Sequence, residues 1–172
     1  MSRQNQPKGR LSPTLPVAAL VALVVAMTAA GAWAQSNRPL PRFVSLRAGE
    51  VNVRTGPGVR YPIDWVFQRK GLPIEIITEY DTWRKIRDWE GTEGWVHQSM
   101  LSGTRTVLIT KETRVLRREP SAAAPAVAHV EAGVVAALKW CEGGWCRIRA
   151  AGYEGWLKTA DFWGIYPGEK IE

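Results

Sequence analysis

Apolar and polar positions alternate over short distances along most of this chain. Val51-Asn52-Val53-Arg54 alternates one by one, as a strand with one covered face does. Ile63 to Phe67 is a second strand candidate, and Ile74-Glu75-Ile76-Ile77-Thr78 is the most β-prone run. Turn formers stand between these runs: Thr55-Gly56-Pro57-Gly58, Arg69-Lys70-Gly71, Tyr80-Asp81-Thr82 and Trp89-Glu90-Gly91-Thr92. Gln98 to Leu101 reads as one helical turn. The pattern predicts short strands punctuated every few residues by Gly or Pro, hence an all-β fold.

The pattern also repeats. Trp83-Arg84-Lys85-Ile86-Arg87, followed by Glu93-Gly94-Trp95-Val96, returns as Trp145-Cys146-Arg147-Ile148-Arg149, followed by Glu154-Gly155-Trp156-Leu157, with one residue deleted in the turn. Val115-Leu116-Arg117 matches Asn52-Val53-Arg54, Pro125 matches Pro62, and Gly133 matches Gly71. No stretch before or between the copies carries helical periodicity over three turns. The expectation is one five-stranded motif copied once, giving two small barrels over residues 43–104 and 105–166, with a tail at 167–172. A domain of about 60 residues is marginal alone. The two barrels are therefore expected to pack together, with little free linker between Leu101 and Val107.

The beginning of the chain has a different texture. Arg3, Lys8 and Arg10 precede an uncharged run from Val17, and Ala32-Trp33-Ala34 offers a small-x-small site. A basic segment, an apolar core and such a site together predict an export signal over residues 1–34, cleaved after Ala34. The alternative is an uncleaved anchor, since an 18-residue apolar run is just long enough to span a bilayer. Cleavage leaves no stable membrane span, and it places the chain in the periplasm or outside the cell, in an oxidising compartment. Residues 35–42 read as a proline-bearing lead-in linker.

Charge changes this picture little. The formal net charge is +7 over 172 residues, but acidic residues are spread throughout and no Lys/Arg run exceeds two. Nucleic-acid binding needs a concentrated basic stripe and is not expected.

The chemistry on offer is sparse. His97 and His129 lie in different copies, and no Cys/His cluster has metal spacing, so neither a metal nor a cofactor is expected. No nucleophile, base and orienter come together, which argues against an enzyme. Cys141 and Cys146 flank a Gly143-Gly144 turn; a two-residue hairpin there sets the two cysteines opposite one another, and a disulfide is expected. In the first copy the same positions are Glu79 and Arg84, opposite charges suited to a cross-strand site. Trp83 lies three residues from Ile86, so if Ile86 is core, Trp83 faces outward. Exposed Trp83 and Tyr61 are candidate stacking platforms for sugar rings or proline faces; the competing reading is that the tryptophans fill two tiny cores. Trp95 fits either role. Arg54 either braces the loop after its strand or grips a ligand carboxylate. The second copy has Ala124 at the place of Tyr61, so the first copy is the expected binder.

Asn52-Val53-Arg54-Thr55-Gly56-Pro57, Tyr61-Pro62, Gly71, Trp83-Arg84-Lys85-Ile86 and Gly94-Trp95-Val96 together resemble the bacterial SH3-like domain family. The second copy keeps the Trp145, Ile148 and Gly155-Trp156 marks but departs in its first loop. The resemblance implies a tandem pair of SH3-like barrels and a non-catalytic binding module of the cell envelope. Its partner would be peptidoglycan or an envelope protein. A protein–protein adaptor or assembly factor of purely structural role is the alternative.

Overall fold

The computed structural model describes residues 38–171. The expected export signal, residues 1–34, lies outside the described residues. The first sheet is built from β1 (Arg42–Leu46), β2 (Val51–Arg54), β3 (Ile63–Phe67), β4 (Pro73–Tyr80), β5 (Trp83–Arg87), β6 (Glu93–His97) and β7 (Leu101–Ser102). The second is built from β8 (Thr106–Ile109), β9 (Arg114–Arg117), β10 (Ala126–Val130), β11 (Val135–Glu142), β12 (Trp145–Ala150), β13 (Tyr153–Lys158) and β14 (Phe162–Trp163). The strand orders, β3-β2-β6-β5-β4-β1-β7 and β10-β9-β13-β12-β11-β8-β14, are the same under duplication. All pairings are antiparallel. This is a tandem pair of small SH3-like barrels. Each sheet has seven strands against the five expected, in part because the two-residue strands β7 and β14 carry too little sequence to show a period.

The registers also correspond. Ile76 faces Ile86 and Glu79 faces Arg84 in the first barrel; Leu138 faces Ile148 and Cys141 faces Cys146 in the second. Both long hairpins carry an irregularity at the same place, between Ile76 and Thr78 and between Leu138 and Trp140. Such a bulge bends the strand and raises its twist, which a sheet this small needs in order to curl on itself.

Alternation sorts the side chains. Along β5, Arg84 and Ile86 point in while Trp83, Lys85 and Arg87 point out; along β12, Cys146, Ile148 and Ala150 point in. The first core gathers Leu46, Val51, Val53, Ile74, Ile86 and Val96; the second gathers Val107, Ile109, Leu116, Ile148, Leu157 and Phe162. Burying one such aliphatic side chain stabilises by about 1.5–3 kcal/mol.

The barrels are packed together. Leu108 of β8 is part of the first barrel's core, and Val135 packs against it. The Thr106 hydroxyl donates to Gly71 O at 2.7 Å, and Arg69 Nη1 donates to Gly133 O at 2.5 Å. Beyond β14 the chain runs back to the first barrel, where Phe43 meets the rings of Trp163 (centroids 4.8 Å apart) and Tyr166 (4.7 Å). The Tyr166 hydroxyl donates to Glu75 Oε1 at 2.7 Å. Among the described residues no helix is long and apolar enough to cross a membrane.

Candidate ligand-binding face

The outward positions of β4, β5, β6 and β2 form two cross-strand rows on the first barrel. Tyr80 pairs with Trp83 and Trp83 with His97, giving an aromatic row. Thr78 pairs with Lys85, Lys85 with Trp95 and Trp95 with Arg54, giving a second row beside it. Adjacent strands lie about 4.8 Å apart, so the aromatic row spans roughly 10 Å, room for one sugar ring or a few residues of extended peptide. Tyr80 is 62% exposed. Trp83, Trp95 and His97 are half-buried because they lean on one another's strands; the Trp83 ring meets the His97 imidazole edge-on at 5.4 Å. His97 Nδ1 lies 2.7 Å from the Ser99 hydroxyl, which fixes the ring at the head of the short 3-10 turn Gln98–Met100.

The loop after β2 borders this face. Arg54 Nη1 donates to the carbonyls of Val59 (3.2 Å) and Tyr61 (2.7 Å), so its guanidinium braces the loop. Arg117 does the same in the second barrel, donating to Ala124 O at 2.7 Å. The Tyr61 ring lies on Gly56, where an added Cβ would fall 2.5 Å from the ring. Arg60 sits over the Tyr61 ring at 5.1 Å. Its guanidinium is held above its usual pKa by the Tyr61 hydroxyl and, more weakly, by Tyr80.

Of the four residues named from sequence, Trp83, Trp95 and Arg54 lie on adjoining strands of this face, and Tyr61 lies in the loop beside it. The sequence pattern places Tyr80 in a turn, whereas it is the last residue of β4. The bulge in β4 shifts the alternation by one position, so a straight count from Ile74 misplaces it; its pairing with Trp83 across the Asp81-Thr82 turn was the available signal.

Below the aromatic row the face is pinned by ion pairs. Lys85 Nζ and Arg87 Nη2 both reach Glu93, at 2.7 and 2.8 Å. Their hydrogen bonds, Lys85 first, hold the Glu93 carboxyl below its usual pKa. Glu93 is therefore tied across the hairpin. Glu154 repeats the arrangement with Arg147 and Arg149, and Arg149 lowers its pKa most.

The second barrel differs where it matters for stacking. Its matching row is Glu142, Trp145 and Lys158, with the Lys158 ammonium 5.5 Å from the Trp145 ring centroid. Trp145 borders a cleft of about 280 Å³ shared with Arg114, Arg117 and Asp161. The place of the aromatic row is thus a charged cleft in the second barrel, whose exposed aromatic surface lies one row over, where Trp140, 46% exposed, meets Trp156 at 5.8 Å.

Cys141 and Cys146 form the disulfide expected for them, with Cα atoms 4.1 Å apart, and Glu142 pairs with Trp145 inside it. Gly143 and Gly144 both take positive φ, 53° and 80°, as a two-residue turn between twisted strands requires. Among the described residues no three His, Cys, Asp or Glu side chains gather closely enough to hold a metal ion.

The fold is a small SH3-like barrel, present twice. Residues 47–103 and 110–164 each match the family model described as the bacterial SH3 domain, and the chain belongs to that family. Among solved structures it is similar to NlpC1 and NlpC2 from Trichomonas vaginalis, each at 16% identity and a TM-score of 0.33. The match covers 75% of this chain and 48% of NlpC1, and 74% of this chain and 49% of NlpC2. The chain thus spans about half the length of either, and at that similarity neither informs its chemistry. A comparison with curated proteins gives no match.

Proposed function

We propose that the protein is an exported, non-catalytic binding module whose first barrel recognises peptidoglycan. The observation that carries this reading is the row Tyr80–Trp83–His97, with Trp95 alongside, laid open on the outer face of β4, β5 and β6. Aromatic faces stack on the apolar faces of sugar rings, and each well-placed ring adds about 1 kcal/mol. Arg60, over the Tyr61 ring in the adjoining loop, suits a carboxylate of a wall peptide. Residence outside the cytoplasm is supported by the disulfide. The non-catalytic reading is supported by the use of both cysteines in that bridge and of His97 in a structural contact.

The test is co-sedimentation with purified sacculi. The wild type is expected in the pellet, and a Tyr80→Ala/Trp83→Ala double variant in the supernatant. Equal retention of both would end the peptidoglycan reading. A wild type that stays in solution yet cross-links in cells to one defined envelope protein would favour the adaptor reading instead.

A further inference from the structure

We propose a second, independent ligand site: a phosphate-binding pocket at the start of the first barrel, formed by Arg38, Arg42, Arg47 and Arg84. The four side chains line one cleft of about 250 Å³ together with Gln98 and Ser102, and no carboxylate lines it. Arg42 and Arg84 are largely buried, with 18% and 8% of their side chains exposed. Both are paired to Glu79, Arg84 through Nε at 3.2 Å and Arg42 through Nη2. Arg84 spends most of its other donors: it donates to the carbonyls of Asp81 and Trp83 and to Gln98 Oε1. Arg42 does not. Its Nε and Nη1 are fully buried and have no hydrogen-bond partner among the described residues. Among the described residues Arg47 donates through Nε to Leu101 O at 3.1 Å.

Burying an unfilled N–H of a guanidinium is costly, and burying excess like charge is costlier. Arg42 and Arg84 share the single carboxylate of Glu79, which leaves one buried positive charge over, and the exposed Arg38 and Arg47 add two more at the mouth of the cleft. The imbalance calls for an anion supplied from outside.

The duplication provides an internal comparison. Val44 pairs with Ile74 and Val107 with Ala136, its counterpart, so Arg105 stands where Arg42 stands. In the second barrel Cys141 replaces Glu79. There Arg105 closes its fork on the two oxygens of Glu169, from the tail, and also donates to Gly164 O. Only Nε of Arg105 is left without a partner, against two nitrogens of Arg42. The arginine at this place holds a carboxylate in both barrels, Glu79 in the first and Glu169 in the second, but Arg42 shares Glu79 with Arg84. The first barrel has three further arginines in place of a tail carboxylate. Three uncompensated cations match a phosphate, with charge of about −1.5 to −2 and three acceptor oxygens, better than a single carboxylate. The cleft is smaller than the roughly 300–1,000 Å³ of a drug-sized site, which suits a phosphate group and little more.

Titration of the purified protein with inorganic phosphate and with glycerol 1-phosphate, followed on the Arg Nε–Hε resonances, tests the site. Saturable shifts of the Arg42 resonance are expected. The surface variant Arg38→Ala/Arg47→Ala, which leaves the buried pairs intact, should bind about tenfold more weakly per lost charge-assisted hydrogen bond. Tighter binding of glycerol 1-phosphate assigns the ligand to a lipid or polymer ester, and tighter binding of inorganic phosphate assigns it to the free ion. Absence of saturable binding of either probe, or equal binding by the double variant, overturns the proposal. Sacculus retention is read separately with Trp83 intact, so failure here leaves the aromatic face standing.

Discussion

Gly94 has no room for a side chain. A Cβ there would fall 2.3 Å from Val53 Cγ1 and 3.2 Å from the Trp65 ring, because β2 crosses β6 at that point. Gly155 is tighter against backbone, with Arg117 O at 2.5 Å. This close crossing explains why Gly-Trp stands in both copies. Gly94→Ala is expected to destabilise the protein by about 1–3 kcal/mol, read as a lower urea midpoint. Gly155→Ala should cost more, since a carbonyl cannot swing aside. Gly49→Ala, with nothing within 4 Å, is the control and should leave the midpoint unchanged. The residue scale was legible wherever a rule of spacing applied. Ile86 at no exposure and Trp83 outward follow from their separation by three along a strand. The orphaned nitrogens of Arg42 were not legible, because the lead-in residues carry no period and their partners come from distant strands.

The two long hairpins solve one problem in two ways. Where β11 and β12 are tied by Cys141–Cys146, β4 and β5 hold Glu79 against Arg84. A bridge closing so short a loop adds about 2 kcal/mol, chiefly by restricting the unfolded chain. Reduction is therefore expected to lower the stability of the second barrel by about that amount. Exchange of backbone amides in β11 and β12 should quicken on reduction while β4 and β5 are unchanged. Uniform acceleration across both hairpins would show that the barrels do not unfold separately. The disulfide was readable in advance because the Gly-Gly turn fixes the register. Strands as short as β7 and β14 were not, since two residues cannot display alternation.

At the scale of the molecule, the segment from β14 onward packs back on β1 of the first barrel. Tyr166 and Trp163 sit on Phe43, and Tyr166 donates to Glu75 across the junction of the barrels. Burial, and then the hydrogen bond to Glu75, push the Tyr166 phenol well above its ordinary value of 10.0. The folded state therefore favours the protonated phenol. That contribution is fully present below pH 10.0 and is lost as pH rises through the folded value. Tyrosinate absorbance should show one residue ionising late, and Tyr166→Phe should remove that late component. The packing of the barrels was foreseeable from their size alone. The tail's part in it was not, because a segment without regular structure shows no pattern until its partners are in place.

Two matched tryptophans test the central claim most directly. Trp83 and Trp145 occupy the same place in the duplicated fold, one in an aromatic row and the other beside a charged cleft. Binding to purified sacculi is measured for Trp83→Ala and Trp145→Ala, each checked for an intact fold. The expected result is loss of retention with Trp83→Ala and near wild-type retention with Trp145→Ala. Equal retention by both variants, or loss confined to Trp145→Ala, would contradict assignment of the binding face to the first barrel.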